Sequence, residues 1–378
     1  MKTVELGSVA TIDRKGVDPS SVPPETLYLG LEHIERGGRI IGRDTVGGAE
    51  LASTKFAFTE EHVLFGKLRP NLGKISRPDF AGVCSTDILP IRPGPDLDRN
   101  YLAHYLAQPS MVDFAASRTS GANLPRLSPT VLATFPIPLP PLPEQRRIAA
   151  ILDHADALRA KRRQVLAHLD SLVDAVFHQM FDMERDRLPF ASTCHRVTVG
   201  VVIKPASHYV ESGVPALRTL NVKPGRIVLE DLVYFSEASN NGPLAKSRLR
   251  AGDLVIARTG KAGTTAIVPP ELDGANAIDL IVATPNTDVA LPVYLEALLN
   301  SETGKRMVSG EARGQIQQHF NVGSLKAASV AVPELSLQRE FADRVELTNR
   351  QRAAQREAAR RDDTLFASLQ SRAFRGEL

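Results

Sequence analysis

The chain has 378 residues, 43% of them hydrophobic, with a formal charge of +3, two cysteines and nine histidines. That length suits two or three domains with ordinary cores. Cys84 and Cys194 fall at unrelated places and suggest neither a disulfide framework nor a thiolate metal site; a charge this small does not by itself indicate a polyanionic partner. No stretch approaches 18 apolar residues and the start carries no hydrophobic signal region, so the expectation is a cytoplasmic protein without a membrane partner.

Along the chain, strand-like runs fall at 62–65 and 88–91, and a short helix at 99–107. The run Pro136 to Pro143 carries five prolines and reads as an extended polyproline hinge. Pro143 and Glu144 suit a helix start, and neither glycine nor proline interrupts 144–181. Ile148, Ile151, Ala155, Leu158, Val165, Leu169, Leu172 and Val176 step by three and four, an apolar stripe about 57 Å long that needs a partner. The second half repeats the order: strand-like runs at 253–257, 265–268 and 277–283, a helix at 292–300, a hinge at 330–335, Ser336 as N-cap and a helix over 337–374. Ala353, Ala354, Ala358 and Ala359 in that last helix would admit a larger-sided partner helix.

The halves match residue by residue. Pro140, Leu142, Gln145, Arg146 and Ala149 recur 193 positions later as Pro333, Leu335, Gln338, Arg339 and Ala342; Tyr101, Gly121 and Leu132 recur as Tyr294, Gly314 and Leu325. Gly82, Asp87 and Pro93 match Gly274, Asp279 and Pro285, and Gly38-Arg39-Ile40 matches Gly225-Arg226-Ile227. A period this long is a duplicated domain, and two equivalent halves satisfy each other best about a pseudo-two-fold axis, which sets their helices antiparallel. The expected fold is α+β, two similar domains (1–139 and 185–332) separated by two long coiled-coil-like helices (140–184 and 333–378).

Catalytic motifs are not found. Gly260-Lys261 resembles a phosphate loop, but Val255 stands for the earlier glycine and Ala262 for Ser or Thr. There is no dinucleotide fingerprint, no Gly-x-Ser-x-Gly and no Asn-Pro-Pro-aromatic run, and the histidines have no metal-ligand spacing. Asp87 and Asp279, the one repeated acid, read as structural acceptors. No cofactor or metal is expected on the chain. Two loops in each half are instead polar and basic. Lys67, Arg69, Asn71 and Lys74 follow the strand of the first half, matched by Arg258, Thr259 and Lys261 in the second. Arg118, Asn123 and Arg126 precede the first hinge, matched by Arg313, Gln315, Gln317 and Gln318 before the other. Such groups serve phosphates and base edges, and scaffolds retained while tips vary suit two readers of different short DNA sequences.

The runs Leu139-Pro140-Pro141-Leu142-Pro143-Glu144-Gln145-Arg146-Arg147-Ile148-Ala149-Ala150-Ile151-Leu152-Asp153 and Leu365 to Leu378 resemble the central and distal conserved regions of the DNA specificity subunit of type I restriction-modification systems. That resemblance implies two target recognition domains reading a split sequence in double-stranded DNA, and helices that dock two DNA adenine methyltransferase (modification) subunits beside a restriction/motor subunit. S-adenosylmethionine, ATP and Mg would then sit on partner subunits, and this chain would be non-catalytic. Leu142, Glu144, Gln145, Arg146, Gln338 and Arg339 are the expected docking residues. Ser336 and Leu337 replace Pro143 and Glu144 in the second copy, which would make the two docking sites differ. A duplicated protein-binding adaptor, or the recognition subunit of another nuclease or methyltransferase system, is the alternative.

Overall fold

The computed structural model describes residues 2–121, 123–181, 186–309 and 320–378. They form two compact units, one of Met1–Arg163 with Glu357–Leu378 and one of Gln164–Arg356. Each unit therefore holds one part of each long helix.

The first unit is built on an antiparallel sheet in the order Ala10–Ile12, Ile88–Pro93, Val63–Gly66, Ile75–Ser76. The second uses the same order: Cys194–Val199, Leu280–Pro285, Leu254–Ala257, Thr265–Ile267. In each sheet one inner strand is an unbroken apolar run (Val63-Leu64-Phe65, Leu254-Val255-Ile256-Ala257), as suits a strand covered on both faces. Each unit carries a second sheet holding one parallel pair, Leu27–Leu29 with Gly82–Cys84 and Val214–Leu217 with Asn276–Ala277. Each also has a two-stranded ribbon, Thr3–Glu5 with Pro136–Pro138 and Arg187–Pro189 with Ser329–Ala331.

Three expectations change. Part of the proline-rich hinge is not a free polyproline segment: Pro136–Pro138 pairs with Thr3–Glu5, an edge position where a missing N–H is tolerated. The strand expected at 277–283 is broken, since Asn276–Ala277 belongs to the second sheet and Leu280–Pro285 to the first, with Asp279 at φ +50 between them. Aspartate tolerates that left-handed turn better than most residues. Asp87 sits at the same crossover between Gly82–Cys84 and Ile88–Pro93. Third, the last helix begins at Leu335, so Ser336 lies inside it and is no N-cap.

The first long helix is Leu142–Phe181 and the last is Leu335–Arg375. Within the first unit Ile148, Ala149 and Leu152 share a core with Tyr101, Phe135 and Ala373. Arg159 pairs with Asp363 at 2.7 Å and Arg162 with Asp362 at 2.6 Å. Within the second, Phe177 and Phe181 pack against Phe341 and Tyr294, and Arg352 pairs with Asp170 at 2.9 Å. In each unit residue numbers thus rise along one helix as they fall along its neighbour, so the pairing is antiparallel. The stripe is fully buried only toward its ends. Leu158, Val165 and Leu172 stay exposed, and so do Ala353 and Ala354, while Ala358 and Ala359 are half-buried; Arg159, Arg162 and Arg352 reach across to aspartates of the neighbouring helix.

Candidate nucleic-acid interface

Both helix starts are fixed by the same buried amide. Gln145 Oε1 accepts the Asp98 N–H at 2.8 Å, and Nε2 donates to the carbonyls of Asp96 at 2.9 Å and Pro140 at 2.8 Å. Gln338 repeats this with the Leu291 N–H at 2.8 Å and the Val289 and Pro333 carbonyls at 3.1 and 2.7 Å. Tyr101 and Tyr294 complete the frame by donating to Pro138 at 2.9 Å and Ala331 at 2.7 Å. Gln145 and Gln338 are 0% exposed, so neither side chain can meet a partner; expecting docking from them mistook a structural clamp for a surface. Leu142 is half-buried, and Arg146 and Arg339 are exposed. Glu144 is held by Arg147 at 2.8 Å, which keeps its carboxyl below the usual range.

The polar loops meet at the opposite feature of the fold, the crossover aspartate. In the first unit Lys67 N donates to the Asp87 carbonyl at 2.9 Å and Leu127 N to the Lys67 carbonyl at 2.9 Å. Arg69 stands at φ +50, a left-handed conformation costing a non-glycine residue about 1 kcal/mol, and its N–H donates to Pro125 at 2.8 Å. The two loops are thereby sewn together, and Arg126 Nε reaches Asp87 Oδ1 at 3.0 Å. In the second unit Phe320 N donates to the Arg258 carbonyl at 3.1 Å, matching Leu127 and Lys67, while Arg258 Nη1 reaches Asp279 Oδ1 at 2.7 Å. The same carboxylate in the two units thus holds a guanidinium delivered by a different loop. Side-chain charge is retained at the position while the chain that brings it has changed.

The other candidates divide. Asn71, Asn123 and Lys261 are exposed. Arg118 is exposed too, its guanidinium 3.4 Å from the Phe114 ring centroid. Thr259 Oγ1 lies 3.4 Å from Thr219 Oγ1. Lys74 is tied inward, its ammonium donating to the Leu31 carbonyl at 2.7 Å. Arg313, Gln315, Gln317 and Gln318 lie outside the described residues. Among the described residues no group of three His, Cys, Asp or Glu converges as a metal site requires, and no helix is long and apolar enough to cross a membrane.

Sequence reasoning passed over a third element beside these loops. The turns Leu31–His33 and Thr219–Asn221 are each closed by the side chain of their last residue, His33 accepting from Gly30 N at 3.0 Å and Asn221 from Arg218 N at 2.9 Å. Downstream, Gly38 comes so close to the Ile75 carbonyl that a Cβ there would lie 1.9 Å from the oxygen. Gly225, at φ +66, donates to Thr265 at 3.0 Å. That is why Gly-Arg-Ile recurs: glycine allows the turn to lie on the strand, and the arginine beside it stays exposed. Ile203 (83% exposed) and Leu220 add apolar groups, Ile203 two residues beyond the Val201 carbonyl that accepts from Asp279 N at 3.0 Å.

Residues 1–168 match the type I restriction modification DNA specificity domain. The chain is 29% identical to the type I restriction enzyme EcoDI specificity subunit of Escherichia coli over 183 residues, 47% of this chain and 40% of that one. It is 26% identical to the EcoKI specificity subunit of Escherichia coli strain K12 over 323 residues, 76% of this chain and 67% of that one. The chain thus spans between two fifths and two thirds of these relatives. Its fold matches a chain from a structure of complex assembly and conformational transition in the type I R-M system (TM-score 0.61, 20% identity, 100% of this chain and 98% of that one). The S subunit from M. genitalium matches at TM-score 0.56 and 15% identity over 99% and 96% of the two chains. Residues 1–168 thus match the type I restriction modification DNA specificity domain, and the chain is similar in sequence to type I specificity subunits and shares the α+β fold of these solved chains.

Proposed function

We propose that this chain is the sequence-reading component of a type I restriction-modification complex, each of its two recognition regions (1–139 and 185–332) contacting one part of a split sequence in double-stranded DNA. The observation that carries this is the pair of crossover sites: one scaffold, Asp87 and Asp279, presenting Arg126 and Arg258 from different loops. A carboxylate that pre-orients a guanidinium reduces the side-chain entropy lost on reading a guanine edge or clamping a phosphate. Lys67, Arg69, Asn71, Arg118, Asn123, Thr259, Lys261, Arg313, Gln315, Gln317 and Gln318 supply the remaining contacts, and Lys74 supports the loop from behind.

The chain performs no chemistry of its own in this reading. It works in the cytoplasm with two adenine methyltransferase subunits that carry S-adenosylmethionine, and with a motor and nuclease subunit that uses ATP and Mg. The exposed residues Arg146 and Arg339 at the two helix starts, with half-buried Leu142 and Glu144, form the docking surface for the methyltransferases. A gel shift with random duplex DNA, with and without co-purified methyltransferase, tests the proposal. DNA binding that Arg126→Ala and Arg258→Ala weaken supports it; no binding even with the partner present removes it in favour of a protein adaptor.

A further inference from the structure

The second unit carries a basic cavity at the other end of its sheet from Arg258. Leu254–Ala257 runs away from it toward Arg258, and Leu280–Pro285 runs back to it from Asp279. The cavity measures 530 Å³, within the range of small-molecule sites, and is lined by Arg196, Arg248, Arg250, Asp273 and Gly274 among others.

Arg196 is fixed. Its Nη2 donates to Asp253 Oδ2 at 2.7 Å and the Arg248 carbonyl at 3.1 Å, and its Nε to Thr284 Oγ1 at 3.1 Å. Arg248 and Arg250 are different: both are exposed, and among the described residues neither guanidinium makes a hydrogen bond or ion pair. Between them Leu249 is 1% exposed and turned into the core, and alternation along extended backbone sets the two arginines on the same side. Two unpaired like charges side by side repel each other. Gly274, at φ +81, turns the chain beside Arg248, whose Nη2 would lie at ordinary contact distance, 3.7 Å, from a Cβ there. The one lining acid, Asp273, is engaged through Oδ1 by the Ala251 N–H at 2.9 Å. The first unit is built differently here: Thr11 stands at the sheet position of Arg196, and Arg92 and His62, at the positions of Thr284 and Asp253, both pair with Asp13.

We propose that this cavity binds a phosphate ester, gripped by Arg248 and Arg250 with Arg196 as a fixed wall, as a contact separate from the sequence-reading loops. Guanidinium forks suit phosphate oxygens, which accept two parallel hydrogen bonds from each. The phosphate belongs either to a free small molecule or to a nucleic-acid backbone, and the test separates these.

Inorganic pyrophosphate is titrated calorimetrically into the full-length chain and into the double variant R248Q/R250Q, whose substitutions are at exposed side chains. A saturable one-to-one isotherm that weakens at least about tenfold in the variant supports a small-molecule site. In a second arm, random duplex is titrated over a salt series. If pyrophosphate does not bind but the variant loses duplex affinity, with a salt slope lower by about 2, the ligand is a nucleic-acid backbone. The proposal is overturned if the variant matches the parent in both arms. Arg258→Ala serves as control: it should leave pyrophosphate binding unchanged whether or not the reading loops contact DNA, so the two proposals fail independently.

Discussion

Replacing Gln338 by leucine tests whether the repeated glutamine is a clamp or a docking residue. Leucine has nearly the same volume, so the perturbation is to hydrogen bonding. The Leu291 N–H and the Val289 and Pro333 carbonyls lose their partner in a site that is 0% exposed. An unsatisfied buried donor costs about 1–3 kcal/mol, and carbonyls with a spare lone pair somewhat less, so the loss should be about 3–5 kcal/mol. In a unit of this size 1 kcal/mol lowers the melting temperature by about 2–4 °C, which places the shift near 10 °C. Calorimetry of the variant reads it directly, and Gln145→Leu should act in the same way on the first unit. A pull-down with the methyltransferase, run below both transitions, completes the assay. Loss of methyltransferase binding with a melting shift under about 3 °C would refute the clamp and restore the glutamines as contact residues.

Arg258→Ala and Arg126→Ala should each relax reading of one element of the DNA sequence by about 1–3 kcal/mol while leaving the other untouched, as measured by binding to a panel of variant duplexes; losses spread evenly over both elements would contradict one-unit-one-element reading. Four residues inserted into both long helices, after Arg163 and after Arg356, leave the pairs Arg159–Asp363 and Arg352–Asp170 within their own units and lengthen each helix by about 6 Å. The preferred spacer should grow by about two base pairs with the read bases unchanged, as a spacer-length series in a binding assay would show; an unchanged spacer with altered read bases would end the idea that the helices set the spacing. Burial pushes the Glu296 carboxyl up to about 7, despite the Ile267 N–H that it accepts at 2.9 Å and the nearby Arg352. Because the folded value lies above the unfolded one, the folded state holds more protons between about pH 4.5 and 7, and stability falls as pH rises through that window. Glu296→Gln should therefore gain about 2 kcal/mol at pH 8 and flatten that fall, read from denaturant melts at pH 5 and pH 8; equal gains at both pH values would show that ionisation is not the cause.

Much of the architecture is legible in the residues alone. The duplication, the long helices and the two short ones at Arg99–Leu106 and Pro292–Asn300 follow from local spacing, because 3.6-residue periodicity and proline placement act within a few residues of one another. The loops that carry Lys67, Arg69 and Arg258 are legible too, as basic tips on repeated scaffolds. Their arrangement is not. Asp87 meets Arg126 across 39 residues and Asp279 meets Arg258 across 21, and nothing in either local pattern encodes those pairings. The strand at 277–283 looked continuous because β-propensity is insensitive to a crossover between sheets, which one left-handed residue accomplishes.

The sequence by itself determined that there are two copies of one fold, where their helices run and which residue types stand at their tips, since periodicity, helix breakers and repeated residues are local properties of the chain. Only the tertiary structure decided what each repeated residue does. Gln145 and Gln338 became clamps rather than contacts because burial leaves an amide no choice but to satisfy neighbouring backbone. Asp87 and Asp279 became the seats of two arginines because chain segments distant in sequence converge where one sheet hands over to the next.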